Sequence, residues 1–91
     1  MYDLSAFQRD TLLVISGMGG SSGVEIREEL DGYYENPITG GRLYPCLDAL
    51  VDYGLVEKGK KDDRTNEYTL SKQGHRKLAV RREWEDGLAE I

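Results

Sequence analysis

A glycine pair followed by an arginine, Gly40-Gly41-Arg42, opens a segment with the chemistry to hold an anion. At the start of a helix, the backbone N–H groups of Gly40 and Gly41 have no intrahelical acceptor. They also lie at the positive end of the helix dipole, where a phosphate is stabilised. The hydroxyls of Thr39 and Tyr44 can donate to phosphate oxygens, and Arg42 can fork onto the O6 and N7 acceptors of a guanine in a major groove. A second basic group, Lys60, Lys61 and Arg64 with Thr65 beside them, lies in the polar run 59–66. An arginine on such a loop suits a DNA backbone or a narrow minor groove. Asp62 and Asp63 in the same run repel phosphate, and their expected work is to turn the chain and orient Arg64 by ion pairing. The plain alternative is a capped helix with one solvated arginine and a solvated, charged hairpin.

Other chemistry has little support. His75 and Cys46 are the only histidine and cysteine, too few for a metal site of ordinary spacing, so no metal or cofactor is expected. Cys46 reads as a small core or boundary residue and His75 as a polar residue near the start of the last helix. No nucleophile–base pair is evident, which argues against an enzyme and leaves no catalytic residue to name. The glycine-rich stretch Gly17–Gly23 follows a helix rather than a strand and has no phosphate-loop ending, so it reads as a flexible turn between helices.

The elements that must carry these groups follow from periodicity. A helix is expected from about Ser5 to Gly17, where Ser5 and Gln8 form a capping box. Leu4, Phe7, Thr11, Val14, Ile15 and Met18 mark its stripe, with Leu12 and Leu13 beside it. Ser22 and Glu25 form a second box, opening a helix to about Tyr34 with Ile26, Leu30, Tyr33 and Tyr34 as its apolar positions; Arg27, Glu28, Glu29 and Asp31 face water. Asn36-Pro37 ends it. The third helix starts between Thr39 and Arg42 and runs to Tyr53, with Gly54 as its stop. Leu43, Leu47, Leu50 and Val51 form its buried stripe, and Pro45 is placed at the edge of the first turn, where proline loses no hydrogen bond. Leu55 to Lys58 and Glu67 to Leu70 read as strands around the loop 59–66, and Ser71 caps a last helix.

The chain has 91 residues and a net charge of −5, unevenly spread. Residues 1–38 hold seven acidic side chains and two basic, residues 39–82 ten basic and six acidic, and residues 83–91 four acidic and none basic. A net negative charge argues against nucleic acid, but the segment with both candidate groups is basic. Glutamate and aspartate outnumber lysine 17 to 5, which fits a salt-rich cytoplasm. The length implies a single domain, 1–91. No apolar run is long enough for a membrane span, no signal peptide is seen, and a single cysteine suggests the cytoplasm.

Three helices, a hairpin and a final helix make an α+β, mainly α chain with the order of a winged helix-turn-helix. In that fold 39–53 is the recognition helix and 59–66 the wing. Gly41-Arg42-Leu43-Tyr44-Pro45, then Leu47, Leu50 and Gly54-Leu55-Val56, resembles the PadR-type signature. Tyr68-Thr69-Leu70-Ser71 with Gly74 is similar to that family's strand-to-helix junction. The stretch Phe7-Gln8-Arg9-Asp10 and the acidic surface look like short haloarchaeal members and the repressor-like proteins of haloarchaeal viruses. The resemblance implies a transcriptional regulator, usually a repressor, that binds double-stranded DNA as a homodimer. It places Thr39, Gly40, Gly41, Arg42, Tyr44, Pro45, Lys60, Lys61, Arg64 and Thr65 at the DNA. Longer relatives carry a C-terminal extension, so no dedicated small-molecule effector domain is expected.

On the last helix, 71–91, Val80, Trp84, Leu88 and Ile91 make an apolar stripe rimmed by charge, with no later element to cover it. Exposed patches of this kind mark partner surfaces, and dimerisation is expected there, with Leu4 and Phe7 of the first helix as the opposing contacts. A second reading, motivated by the acidic surface, is a winged-helix protein-interaction module with little DNA affinity.

Overall fold

Local capping chemistry sets the first two helices. The computed structural model describes residues 3–89, in the order α1 (Ala6–Ser16), α2 (Gly23–Tyr33), α3 (Gly40–Asp52), β1 (Val56–Lys60), β2 (Asn66–Leu70) and α4 (Lys72–Ala89). Both capping boxes are closed. Ser5 Oγ accepts from the Gln8 N–H at 3.1 Å and Gln8 Oε1 from the Ser5 N–H at 2.9 Å. Ser22 and Glu25 repeat the pattern at 3.2 and 2.9 Å. Thr39 is the N-cap of α3 but makes no side-chain cap bond. Gly54 ends that helix with φ +75°, in the left-handed region that glycine occupies without strain.

Pro45 differs from expectation. It is the sixth residue of α3 rather than the edge of its first turn, so the Gly41 carbonyl lacks its i+4 donor. Gly41 is exposed, and water can take that place.

The core gathers one face from each element: Leu12, Ile15, Ile26, Leu30, Leu43, Leu47 and Leu50 are closed to solvent, with Tyr68 of β2 beneath them. Cys46 joins the stripe of α3, while Val51 is only half-buried. Two assignments on α2 are corrected. Tyr33 is 80 % exposed rather than apolar core, because Tyr34 alone turns inward as the helix ends. Asp31 does not simply face water; its carboxylate accepts from the Ile38 N–H at 2.6 Å and ties down the loop to α3.

β1 and β2 pair antiparallel from Val56↔Leu70 to Lys60↔Asn66, so the hairpin extends further towards its tip than expected. Asp62 explains the difference. Its Oδ1 accepts from the N–H groups of Arg64 and Thr65, both at 2.9 Å, and closes a tight turn. The glycine-rich stretch is not a free turn either. Ser21 bridges Tyr68 through two backbone bonds, 3.2 and 2.8 Å, adding a rung on the other edge of β2. Gly20 reaches that rung with φ +98°, where a side chain would also press on the Glu67 carboxylate.

Ser71 fastens α4 to this frame. Its Oγ accepts from the Gly74 N–H at 3.0 Å and donates to the Gly54 carbonyl at 2.6 Å. Loss of both bonds in Ser71→Ala is expected to cost about 1–2 kcal/mol, read as a fall in melting temperature on thermal unfolding. Beyond Leu78 the helix leaves the core. Between it and α1 runs a groove of about 700 Å³ lined by Leu4, Leu12, Leu13, Leu78, Val80 and Trp84. No helix among the described residues is long and apolar enough to cross a membrane. The arrangement is a winged helix-turn-helix with a projecting fourth helix.

Candidate nucleic-acid interface

Leu43, Leu47 and Leu50 turn one side of α3 into the core, which leaves Gly41, Pro45, Asp48 and Asp52 exposed on the other. Thr39 is exposed, and its hydroxyl is not spent on the helix cap. The N–H groups of Gly40 and Gly41 are the first two of the helix and have no acceptor within it. Tyr44 is 44 % exposed. Its ring fills the notch where α2 begins, so close that a Cβ on Gly23 would stand 2.8 Å from the ring and hydroxyl. Glycine at the start of α2 is therefore what lets Tyr44 lie there. Asp48 and Asp52 are two outward carboxylates beyond those expected at the site, and their position follows from periodicity alone by counting round from Leu43.

Arg42 does not stand on that outward side. Its guanidinium lies 4.0 Å over the Phe7 ring and 5.4 Å from the centroid of Tyr34. The two rings meet edge to face, and the Tyr34 hydroxyl donates to Asp10. That bond, followed by burial, pushes the Tyr34 phenol above its ordinary range.

The wing candidates divide. Lys60 and Arg64 are exposed and make no ion pair among the described residues. Asp62 meets Arg64 through the backbone N–H, not through the guanidinium, so the expected ion pair is replaced by a turn. That same Arg64 N–H is the first cause holding the Asp62 carboxyl below its usual range. Thr65 is consumed by the turn, its carbonyl accepting from the N–H groups of Lys61 and Asp62. Lys61 is engaged elsewhere, with its Nζ 3.3 Å from Glu25 Oε1 on α2.

Glu25 thus joins a helix cap to the wing, a role the sequence argument missed. The Ser22 N–H, and then Lys61, hold its carboxyl below the usual range. A carboxyl depressed in the folded state stabilises above its unfolded pKa, and that contribution is lost as pH falls through the folded value. Glu25→Gln is therefore expected to lose less stability than the wild type between about pH 5 and pH 3, measured by thermal unfolding across that window.

On α4, Val80, Trp84 and Leu88 are 55, 57 and 49 % exposed on one side. Arg81 lies 4.8 Å over the Trp84 ring and pairs with Glu85 at 3.5 Å. Ile91 falls outside the described residues. Leu4 and Phe7, expected to oppose this stripe in a partner, are buried in the protomer's own core, and Leu4 also lines the groove beside Val80 and Trp84. Leu13, 52 % exposed, is the apolar residue that α1 leaves open beside the groove. Cys46 is buried, and desolvation raises its thiol pKa, which leaves it inert.

The sequence profile of the transcriptional regulator PadR-like family matches residues 12–80. Among solved structures, RosR of H. salinarum is 46 % identical with a TM-score of 0.85, over 91 % of this chain and 74 % of RosR. A PadR family transcription regulator from Clostridium difficile shares the fold at 18 % identity and TM-score 0.75, over 90 % of this chain and 91 % of that one. FabT of Streptococcus pneumoniae, solved in complex with DNA, shares it at 21 % identity and TM-score 0.77, over 97 % of this chain and 59 % of FabT. The comparison with curated proteins returned no match. With the signature around Leu43-Tyr44-Pro45, the winged fold and a profile spanning most of its length, the chain belongs to the PadR-like family of transcriptional regulators.

Proposed function

We propose that this protein is a sequence-specific DNA-binding repressor that acts as a homodimer. The observation that carries the proposal is the junction of wing, α2 and α3. The Lys61–Glu25 pair joins the wing to the start of α2, and Tyr44 packs on Gly23 at that same start. The N–H groups of Gly40 and Gly41 and the Thr39 hydroxyl stand at the start of α3, Tyr44 and Arg42 on its two flanks, and Lys60 and Arg64 are exposed on the wing. In this reading α3 enters the major groove by its exposed side. Thr39, Gly40, Gly41 and Tyr44 hold phosphates, Pro45 lies against the groove, and the wing lies along the backbone or in the minor groove. Lys61 and Thr65 support the wing's shape rather than touching DNA first.

The dimer forms through Val80, Trp84 and Leu88 of α4, and a two-fold axis places the two α3 helices about 34 Å apart, one turn of duplex. A bound dimer excludes polymerase from a promoter, which makes repression the simplest outcome.

Asp48 and Asp52 favour a second reading, a winged-helix module that binds protein, since two exposed carboxylates on α3 oppose phosphate. Selection from random duplexes at low and at molar salt separates the two. Enrichment of a two-fold-related site supports the repressor, and recovery of no duplex at either salt supports the module. Footprinting beside the protein's own gene then locates the operator.

A further inference from the structure

Arg42 is the one cation on α3, yet it leaves the helix on its flank. Successive helical residues stand 100° apart. With Leu43, Leu47 and Leu50 inward and Gly41, Pro45, Asp48 and Asp52 outward, Arg42 points along the side that faces α1. There it meets a shelf made by Phe7 of α1 and Tyr34, the C-cap of α2. Packing and hydrogen bonding hold the shelf in place. Phe7 is buried, the two rings are in edge-to-face contact with centroids 5.8 Å apart, and the Tyr34 hydroxyl is held by Asp10. Stacking uses a face of the guanidinium and leaves its in-plane N–H donors free. Arg42 stays exposed and makes no ion pair among the described residues. Its charge is thus held in one place with its donors open.

We infer that Phe7 and Tyr34 are positioning residues that aim Arg42 at a backbone phosphate on the rim of the groove, so that Arg42 supplies affinity and register but no base preference. The inference rests on the DNA-binding reading above. It revises the expectation that Arg42 reads a guanine. Base edges lie at the floor of the groove, opposite the outward side of α3, whereas phosphates border it where the flank of the helix passes. An arginine already stacked loses less side-chain freedom on binding than a free one.

The test uses the full chain, the duplex selected above and a scrambled duplex, with affinity measured by fluorescence anisotropy over a salt series. Arg42→Ala is expected to weaken binding about tenfold on both duplexes. It should also flatten the salt slope by about one per half-site. Phe7→Leu and Tyr34→Leu are expected to reproduce part of that uniform loss, and to cause no further loss when added to Arg42→Ala. Tyr34→Phe keeps the ring and is expected to bind nearly as the wild type. Melting curves confirm that each variant is folded, and the Tyr34 pair carries the test if Phe7→Leu unfolds. The inference is overturned if Arg42→Ala relaxes preference at a single base pair with the slope unchanged. It is equally overturned if the shelf variants lose the same affinity with and without Arg42. If the wild type binds no duplex at all, the DNA-binding reading itself fails, and the inference with it.

Discussion

Gly74→Ala is expected to lower the melting temperature by about 10–20 °C, a loss of about 2–3 kcal/mol. Helix propensity alone predicts the opposite sign, because alanine gains about 1 kcal/mol over glycine inside a helix. Packing reverses it. Gly74 is buried in the first turn of α4, and a Cβ there would overlap the Leu55 carbonyl oxygen and stand 2.6 Å from Leu70 Cδ1. The carbonyl cannot retreat cheaply, since it accepts from the Ser71 N–H at 3.0 Å beside the Val56↔Leu70 pair. Gly87 on the same helix is the internal control, with nothing within 4 Å of its would-be Cβ. Gly87→Ala is expected to be neutral or to stabilise by up to about 1 kcal/mol. Calorimetry of the two variants decides the matter, and a Gly74→Ala protein as stable as the wild type would show that α4 is not seated as described.

The second large effect concerns assembly. Trp84→Glu is expected to give a monomer by light scattering and to weaken operator binding by roughly 100-fold or more, because two linked half-site contacts become independent ones. Trp84 sits between Val80 and Leu88 at i±4, and all three are about half exposed in the single chain. A carboxylate there costs the isolated protomer little, since the position is 57 % exposed and the Arg81 guanidinium lies beside it. In a buried apolar interface it is an unpaired charge. The wild type's melting temperature should rise with protein concentration, as for any coupled dimer, while that of the variant should not. A variant that stays dimeric and binds DNA normally would sink the assignment of this face.

The parts of the fold legible in the sequence were those whose partners lie within one helical turn. The boxes Ser5–Gln8 and Ser22–Glu25, the stripe Leu43–Leu47–Leu50 and the stop at Gly54 each need only neighbours at i+3 or i+4, or the residue's own φ. The Asp62 turn was half legible. An aspartate in a polar loop announces a turn, but whether it bonds a backbone N–H or a guanidinium depends on loop geometry. The cover over Leu4, Phe7 and Tyr33 was not legible, for one reason. A stripe says that a face is apolar, not which neighbour covers it; Leu4 and Phe7 are covered within the protomer's own core, while Tyr33 is left outside.

The sequence by itself determined the element order, the winged helix-turn-helix arrangement, the basic middle segment and the start of α3, because these rest on local hydrogen bonds, periodicity and covalent charge. Only the tertiary structure decided how the candidate groups are used. It set Arg42 on Phe7 and Tyr34, tied Lys61 to Glu25 and bridged Ser21 to Tyr68. These contacts join different elements and arise from the crossing of α1 over α3 and the docking of the wing on α2. Both are set by the shape of the whole core, which no single segment encodes.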